Sequence, residues 1–285
     1  MASQFALFTH DFEYGKKLAW EAAGLWKEKV GEVSDRYSFC MLLYGMHLYE
    51  LKQPDSCLYY LKKAVDLGRQ HYASYNERLF SWYNIYAVYL GLEGKYRKSL
   101  EHFHNSICAS FYYIKDSTDA KDVFFMPSLD SAYVNPTEVL SIMGTKGIAF
   151  HNCYQENKKK EYLEAALRWF YVSDSLSWEV SRRDQMEIID NILKFEAQAK
   201  WMNRAFYEAF EYTPGTRYQE MVYQMLNRNK AQFLLNEINM LERASQDSSH
   251  TVYAKLLNSQ NEIRQLNRQL SLLEEKNRKD SVLHM

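Results

Sequence analysis

Apolar positions in this chain recur in blocks with a fixed internal spacing. In Cys57-Leu58-Tyr59-Tyr60-Leu61-Lys62-Lys63-Ala64 and in Ser99-Leu100-Glu101-His102-Phe103-His104-Asn105-Ser106, a small residue is followed by three others, a large apolar one, two more, and a second small one. The blocks lie 42 residues apart, 99 less 57. Stepping back by the same 42 reaches Gly15, with Ala19 and Ala22 at matching places, and Gly45 and Ala87 upstream keep the same offset. Residues three and four apart share one helix face, and a repeat of this length belongs to stacked helical hairpins, each burying its apolar face on its neighbours.

Each repeat is therefore expected to be a helix A, a short turn and a helix B. Ser34 caps a helix A from Asp35 to about Leu51, with the Asp35 carboxylate near the positive helix start. Lys52-Gln53-Pro54-Asp55 makes the turn, Pro54 standing where its missing N–H costs nothing, and helix B runs from about Asp55 to about Tyr72. The next A helix covers about Tyr75 to Leu92, Glu93-Gly94-Lys95 turns, and B runs from about Tyr96 to about Ile114. Asp116 to Pro136 breaks the pattern with turn chemistry around Val123-Phe124-Phe125, which predicts a loop insertion with room for a short strand. Helices resume with Thr137 as N-cap, a helix A over Ser141 to His151 and a helix B from about Glu161 to about Arg182, where Ala166, Phe170 and Ser173 repeat the small, large, small order. Long helices follow to about Ala244, and Val252 to about Arg278 carries a narrow apolar stripe of coiled-coil type. The organisation expected is repeats over 1–115, an insertion over 116–136, repeats and long helices over 137–245, and a terminal amphipathic helix over 246–285.

Composition agrees with an all-α class. Of 285 residues, 47% are hydrophobic, while 10 Gly and 4 Pro are too few for a protein built of tight β-turns. A net charge of −1 excludes the basic stripe that a nucleic-acid module needs to neutralise phosphates. The four cysteines, Cys40, Cys57, Cys108 and Cys153, are scattered and read as reduced, buried helix residues of a cytoplasmic protein. No stretch approaches the roughly 18 apolar residues that span a bilayer, and Met1 to His10 lacks the pattern of a secretory signal.

The repeat resembles the tetratricopeptide repeat (TPR). Gly45, Leu48, Cys57, Leu61 and Ala64 fill the small and large places of that motif, as do Ala87, Leu90, Ser99, Phe103 and Ser106, with Cys and Ser standing where the motif prefers Ala. The period exceeds the common one of about 34 residues, so each helix is expected to be about a turn longer. The resemblance implies a right-handed superhelical α-solenoid of about four hairpins with the A helices on its concave face. By register Ser3 matches Gly45, so the chain is expected to begin inside a repeat, as a trimmed or partial product would.

A second resemblance covers about residues 136–275. Tyr171-Val172-Ser173-Asp174-Ser175-Leu176 with Arg182-Arg183, then Tyr218-Gln219-Glu220, Asn229-Lys230-Ala231, Leu234-Leu235-Asn236-Glu237 and Leu256-Leu257 form an ordered series. It is similar to the repeat region that precedes the caspase-like CHAT domain in bacterial TPR–CHAT proteins of the Bacteroidetes type. That likeness implies a sensor that holds or releases a Cys/His protease domain downstream. It carries over no catalytic residue, and gives Asp174, Arg182, Lys230, Leu234 and Leu235 packing and capping roles.

Candidate chemistry is sparse. His102 and His104 stand two apart, about 200° around a helix, and cannot easily chelate one ion. His151 and Cys153 share that spacing and have no orienting acid near in sequence. Gly144-Thr145-Lys146-Gly147 lacks P-loop spacing, and Lys158-Lys159-Lys160 reads as a solvated turn. Neither a metal nor a cofactor is expected. Of 23 tyrosines most are read as core, but Tyr83, Tyr86 and Tyr89, with Arg78 and Asn84 on the same helix, are candidates for a groove that takes an extended peptide. The reading is a non-catalytic scaffold for protein partners, the regulatory part of a CHAT-type protease. The rivals are a regulatory region with a dimerising stalk ahead of a DNA-binding or kinase domain, and a freestanding adaptor.

Overall fold

The structure, a computed structural model, describes residues 3, 6, 7, 9–72, 76–111, 114, 121–128, 136–183, 201, 202, 204–209, 220 and 224. The chain divides into two compact units, Met1–Met225 and Leu226–Met285, and every element below belongs to the first. The terminal amphipathic helix and the motif positions Lys230, Leu234 and Leu235 lie outside the described residues.

Among the described residues seven long helices follow in order: α1 (Phe12–Val30), α2 (Asp35–Glu50), α3 (Pro54–His71), α4 (Glu77–Leu92), α5 (Tyr96–Ser110), α6 (Pro136–Asn157) and α7 (Lys160–Arg183). Contacts run between successive helices, with one small addition between α4 and α6. That nearest-neighbour stacking is the organisation of a solenoid, three hairpins deep behind α1. Among the described residues there is no strand, and 121–128 forms turns around Phe124 rather than the short strand the sequence allows.

Helix starts follow local chemistry. Ser34 accepts from the Tyr37 amide and Asp35 sits in the first turn, as expected, and Pro54 opens α3. Helix α4 begins two residues later than the periodicity suggests, because the Asn76 carboxamide accepts from the amides of Arg78 and Leu79 and fixes the cap there. Helix α5 stops at Ser110, short of Ile114, with Phe111 already extended. Helix α6 starts at Pro136, so Thr137 lies inside the helix rather than capping it. Proline lacks the N–H that a first turn leaves unused, so the helix is free to begin there.

The repeat register holds in three dimensions. Leu61 and Phe170 are fully buried and Phe103 nearly so, each worth about 1.5–3 kcal/mol of apolar burial. The small residues let helix A press on helix B. A Cβ on Gly45 would lie 3.1 Å from the Leu61 side chain, and one on Gly147 would lie 2.7 Å from the Phe170 ring. The serines that replace alanine add hydrogen bonds. Ser99 donates to the Ala87 carbonyl at 2.7 Å, and Ser106 donates to the Phe80 carbonyl at 2.7 Å. Ser173 repeats the latter bond onto Leu140 at 3.4 Å. At the other end the Ser3 hydroxyl donates to the Gly15 carbonyl at 2.9 Å, and the His47 ring fills the place a Gly15 side chain would take.

Candidate functional site

Helix α4 carries the five residues singled out in the sequence, and packing sends them in different directions. Tyr83 and Tyr86 are buried and meet at His102 of α5, with ring centroids 6.0 Å and 4.5 Å from the imidazole. Burial pushes His102 down to about 4, so the imidazole between the two phenols is neutral. Tyr89 turns to α2 and meets Tyr49 edge-on at 4.8 Å, and burial pushes its phenol up. Arg78 is exposed and ion-pairs with Asp35, which also accepts from the Tyr72 hydroxyl. Burial pushes the Asp35 carboxyl up, but the Tyr72 and Arg78 donors outweigh it and hold it below its usual value. Asn84 is half-buried, and its Oδ1 is shielded with no hydrogen-bond partner.

A continuous face remains on α4 between those directions. Ser81, Asn84, Ile85 and Val88 are half-buried and Leu92 is 59% exposed, at the spacing that lines one side of a helix. Val88 and Leu92 then form one wall of a pocket of about 270 Å³. Tyr96 and Phe103 of α5, Thr145, Ile148 and Asn152 of α6, and Trp201 complete it. The pocket is predominantly apolar, with Thr145 and Asn152 as its polar side chains from α6. Such a lining, apolar with a few placed polar groups, is what binding clefts present.

The histidines that look like metal pairs are separated by the helix itself. His102 faces α4, while His104 faces α6, where its Nδ1 lies 3.2 Å from Lys146 Nζ. Among the described residues no three potential ligands gather at one point. His151 does have an acid, supplied from 57 residues away: its Nε2–H donates to Glu208 at 2.9 Å. The Gln155 amide and Arg204 guanidinium also donate to that carboxylate, at 2.5 Å and 3.1 Å. Burial holds His151 below its usual value. Burial alone would raise Glu208, but its donors outweigh that and keep it low. Cys153 is not activated by this neighbour, since burial pushes its thiol up to about 12. Sequence spacing gives no sign of Glu208, and none of Lys146 as a fully buried amine except its place in the apolar run Ile142 to Phe150.

Comparison with protein-family models returns no match, and comparison with characterised protein sequences returns none either. The fold does have relatives among solved structures. One is a Podosopora anserina protein described as a kinesin light chain with nearly identical TPR-like repeats, at a TM-score of 0.54 and 10% identity over 87% of this chain and 94% of that one. A point variant of it matches at a TM-score of 0.53 and 10% identity, over 80% and 91%. The chain is an all-α solenoid of TPR-like hairpins. At that identity the likeness shows the fold alone. Among the described residues no helix is long and apolar enough to cross a membrane.

Proposed function

We propose that this chain is a non-catalytic interaction scaffold that takes an extended segment of a protein partner along α4 and into the cleft between α4, α5 and α6. The observation that carries the reading is the face Ser81, Asn84, Ile85, Val88 and Leu92 running into the 270 Å³ apolar pocket. An extended chain brings apolar side chains for the pocket and backbone polar groups for the half-buried Asn84 on the same face. Tyr83 and Tyr86 serve as the rigid floor beneath that face, and Arg78 and Tyr89 flank it. The test is selection from a displayed peptide library, followed by binding of the enriched peptides to Val88→Glu and Asn84→Ala. The reading expects enrichment of peptides with apolar anchors and at least about a tenfold loss in Val88→Glu with helicity unchanged. No enrichment, or binding indifferent to both substitutions, overturns it.

The finer reading is that the scaffold is the regulatory region of a CHAT-type caspase-like protease. Its support is the ordered series from Tyr171 to Leu257 and the placement of Asp174 in the buried core of α7. A partner seated on α4 would shift the packing of later helices and so gate the protease domain. The gene read past Met285, or its immediate neighbour, is then expected to encode a domain with a His-Gly and a later Cys at strand ends. That domain's peptidase activity should change on adding this chain together with a peptide that binds it. Absence of such a domain from both places removes the finer reading and leaves the scaffold.

A further inference from the structure

Three side chains form a line across the α5–α6 interface that partner binding does not use. Lys146 is fully buried, with Nζ 4.1 Å above the Trp169 ring and 3.2 Å from His104 Nδ1. His104 is 2% exposed, and its Nε2 lies 3.5 Å from Cys108 Sγ. Cys108 is half-buried, so it is the member of the line with the most exposed surface.

A buried amine that takes up a proton needs a counter-charge. Among the described residues no carboxylate pairs with Lys146, and Asp122 on the 121–128 segment acts on it only at longer range. His104 and Cys108 are the ionisable groups facing it from α5, and α7 offers the Trp169 ring. The nearest acid along the line is therefore the thiol itself. Its proton passes to His104 Nε2 while the Nδ1 proton passes to the neutral Lys146 amine, so the S–H and Nδ1–H bonds break, Nε2–H and Nζ–H bonds form, and the imidazole stays neutral in its other tautomer. Thiolate and ammonium then lie on opposite sides of one ring, each lowering the burial cost of the other. The remaining cysteines have no such arrangement, and burial pushes the Cys57 and Cys153 thiols up to about 12.

We propose that Cys108 is a modification site for low-molecular-weight disulfides of the glutathione class, with His104 relaying the thiol proton and Lys146 receiving it. The thiolate attacks one sulfur of the disulfide. A new S–S bond forms to Cys108, the reagent's S–S bond breaks, and its other half leaves as a thiolate, so Cys108 is oxidised and that half is reduced. The adduct would mark the joint between the α4–α5 and α6–α7 hairpins.

The test uses the full chain and oxidised glutathione, with each cysteine followed by peptide mass spectrometry across pH. Cys108 is expected to react about tenfold faster than Cys40, Cys57 and Cys153 at neutral pH, with its rate rising below the ordinary thiol range of about 8.5. Lys146→Met, close in length and without the amine, is expected to slow Cys108 about tenfold and move its pH profile upward. His104→Gln breaks the relay and decides the matter on the same readouts if Lys146→Met loses its helicity. An unmodified Cys108 in the native chain, a wild-type profile centred at or above the ordinary thiol value, or an unchanged rate in the folded variant overturns the proposal.

Discussion

Gly147 of α6 lies against the Phe170 ring of α7 so closely that a Cβ would stand 2.7 Å from two ring carbons. Phe170 is fully buried and cannot swing away. Gly147→Ala is therefore expected to cost roughly 1–3 kcal/mol from overpacking, more than the gain in helix propensity returns. Gly24, on the exposed side of α1, has nothing within 4 Å of the same virtual atom. Gly24→Ala is expected to stabilise by about 0.5–1 kcal/mol. Denaturant midpoints of the two variants check both signs, and Gly147→Ala combined with Phe170→Leu should recover part of the loss.

The repeat frame was legible because it rests on steric exclusion. Gly45, Ala87 and Gly147 are small where helix A meets helix B; Leu61 and Phe103 stand 16 residues after Gly45 and Ala87, while the longer third hairpin puts Phe170 at 23 after Gly147. The Ser34 cap and the Pro54 start were legible for the same local reason. The start of α6 was not, because Asn135-Pro136 has turn chemistry and a helix start uses the same proline. The site was read less well. Tyr83, Asn84 and Tyr86 sit within four residues, yet their directions depend on where His102 of α5 lies. The pairings Lys146 with His104 and His151 with Glu208 join residues 42 and 57 apart, and no local pattern encodes them. The sequence also implied four buried cysteines, whereas Cys108 is half-buried at the end of the Lys146 line.

Lys146 makes stability depend on pH in the alkaline range. Burial pushes its amine down to about 7 in the folded chain, against 10.5 when solvated. Between these values the unfolded chain binds the extra proton, so stability should fall as pH drops from 10.5 toward 7 and level off below. Lys146→Met removes this slope. The variant is expected to be more stable than wild type at neutral pH, by on the order of 1–4 kcal/mol, with the difference shrinking toward pH 10. Chemical denaturation at neutral and alkaline pH measures it. Equal slopes in the two proteins would contradict the buried-amine account.

His102 should act at the acid end. Its imidazole has a folded value of about 4 against 6.5 in solution, because burial between Tyr83 and Tyr86 disfavours the charged ring. Stability tied to this group is complete above 6.5 and is lost as pH falls through that interval to 4. In a histidine NMR titration one ring, assigned to His102 by its absence from His102→Leu, is expected to stay neutral at pH 5. The acid limb of the stability curve should be shallower in that variant.

Glu208 fastens the helical segment 204–209 to α6. The segment buries Ala205, Phe206 and Ala209, while Glu208 accepts from His151, Gln155 and Arg204. Glu208→Ala leaves the fully buried His151 ring without its acceptor, and His151 Nδ1 already has no partner. A buried donor left unpaired costs about 1–3 kcal/mol, and that cost falls on the docking of this segment rather than on hairpins α2–α3 and α4–α5. Hydrogen exchange by mass spectrometry should then show faster exchange in peptides covering 201–209 and the end of α6, with protection in α2 to α4 unchanged. Glu208→Gln keeps an oxygen acceptor for His151 and gives up the charge, so it should fall between wild type and Glu208→Ala. Acceleration spread evenly over all helices would instead mean that the solenoid opens as one unit and that Glu208 has no local role.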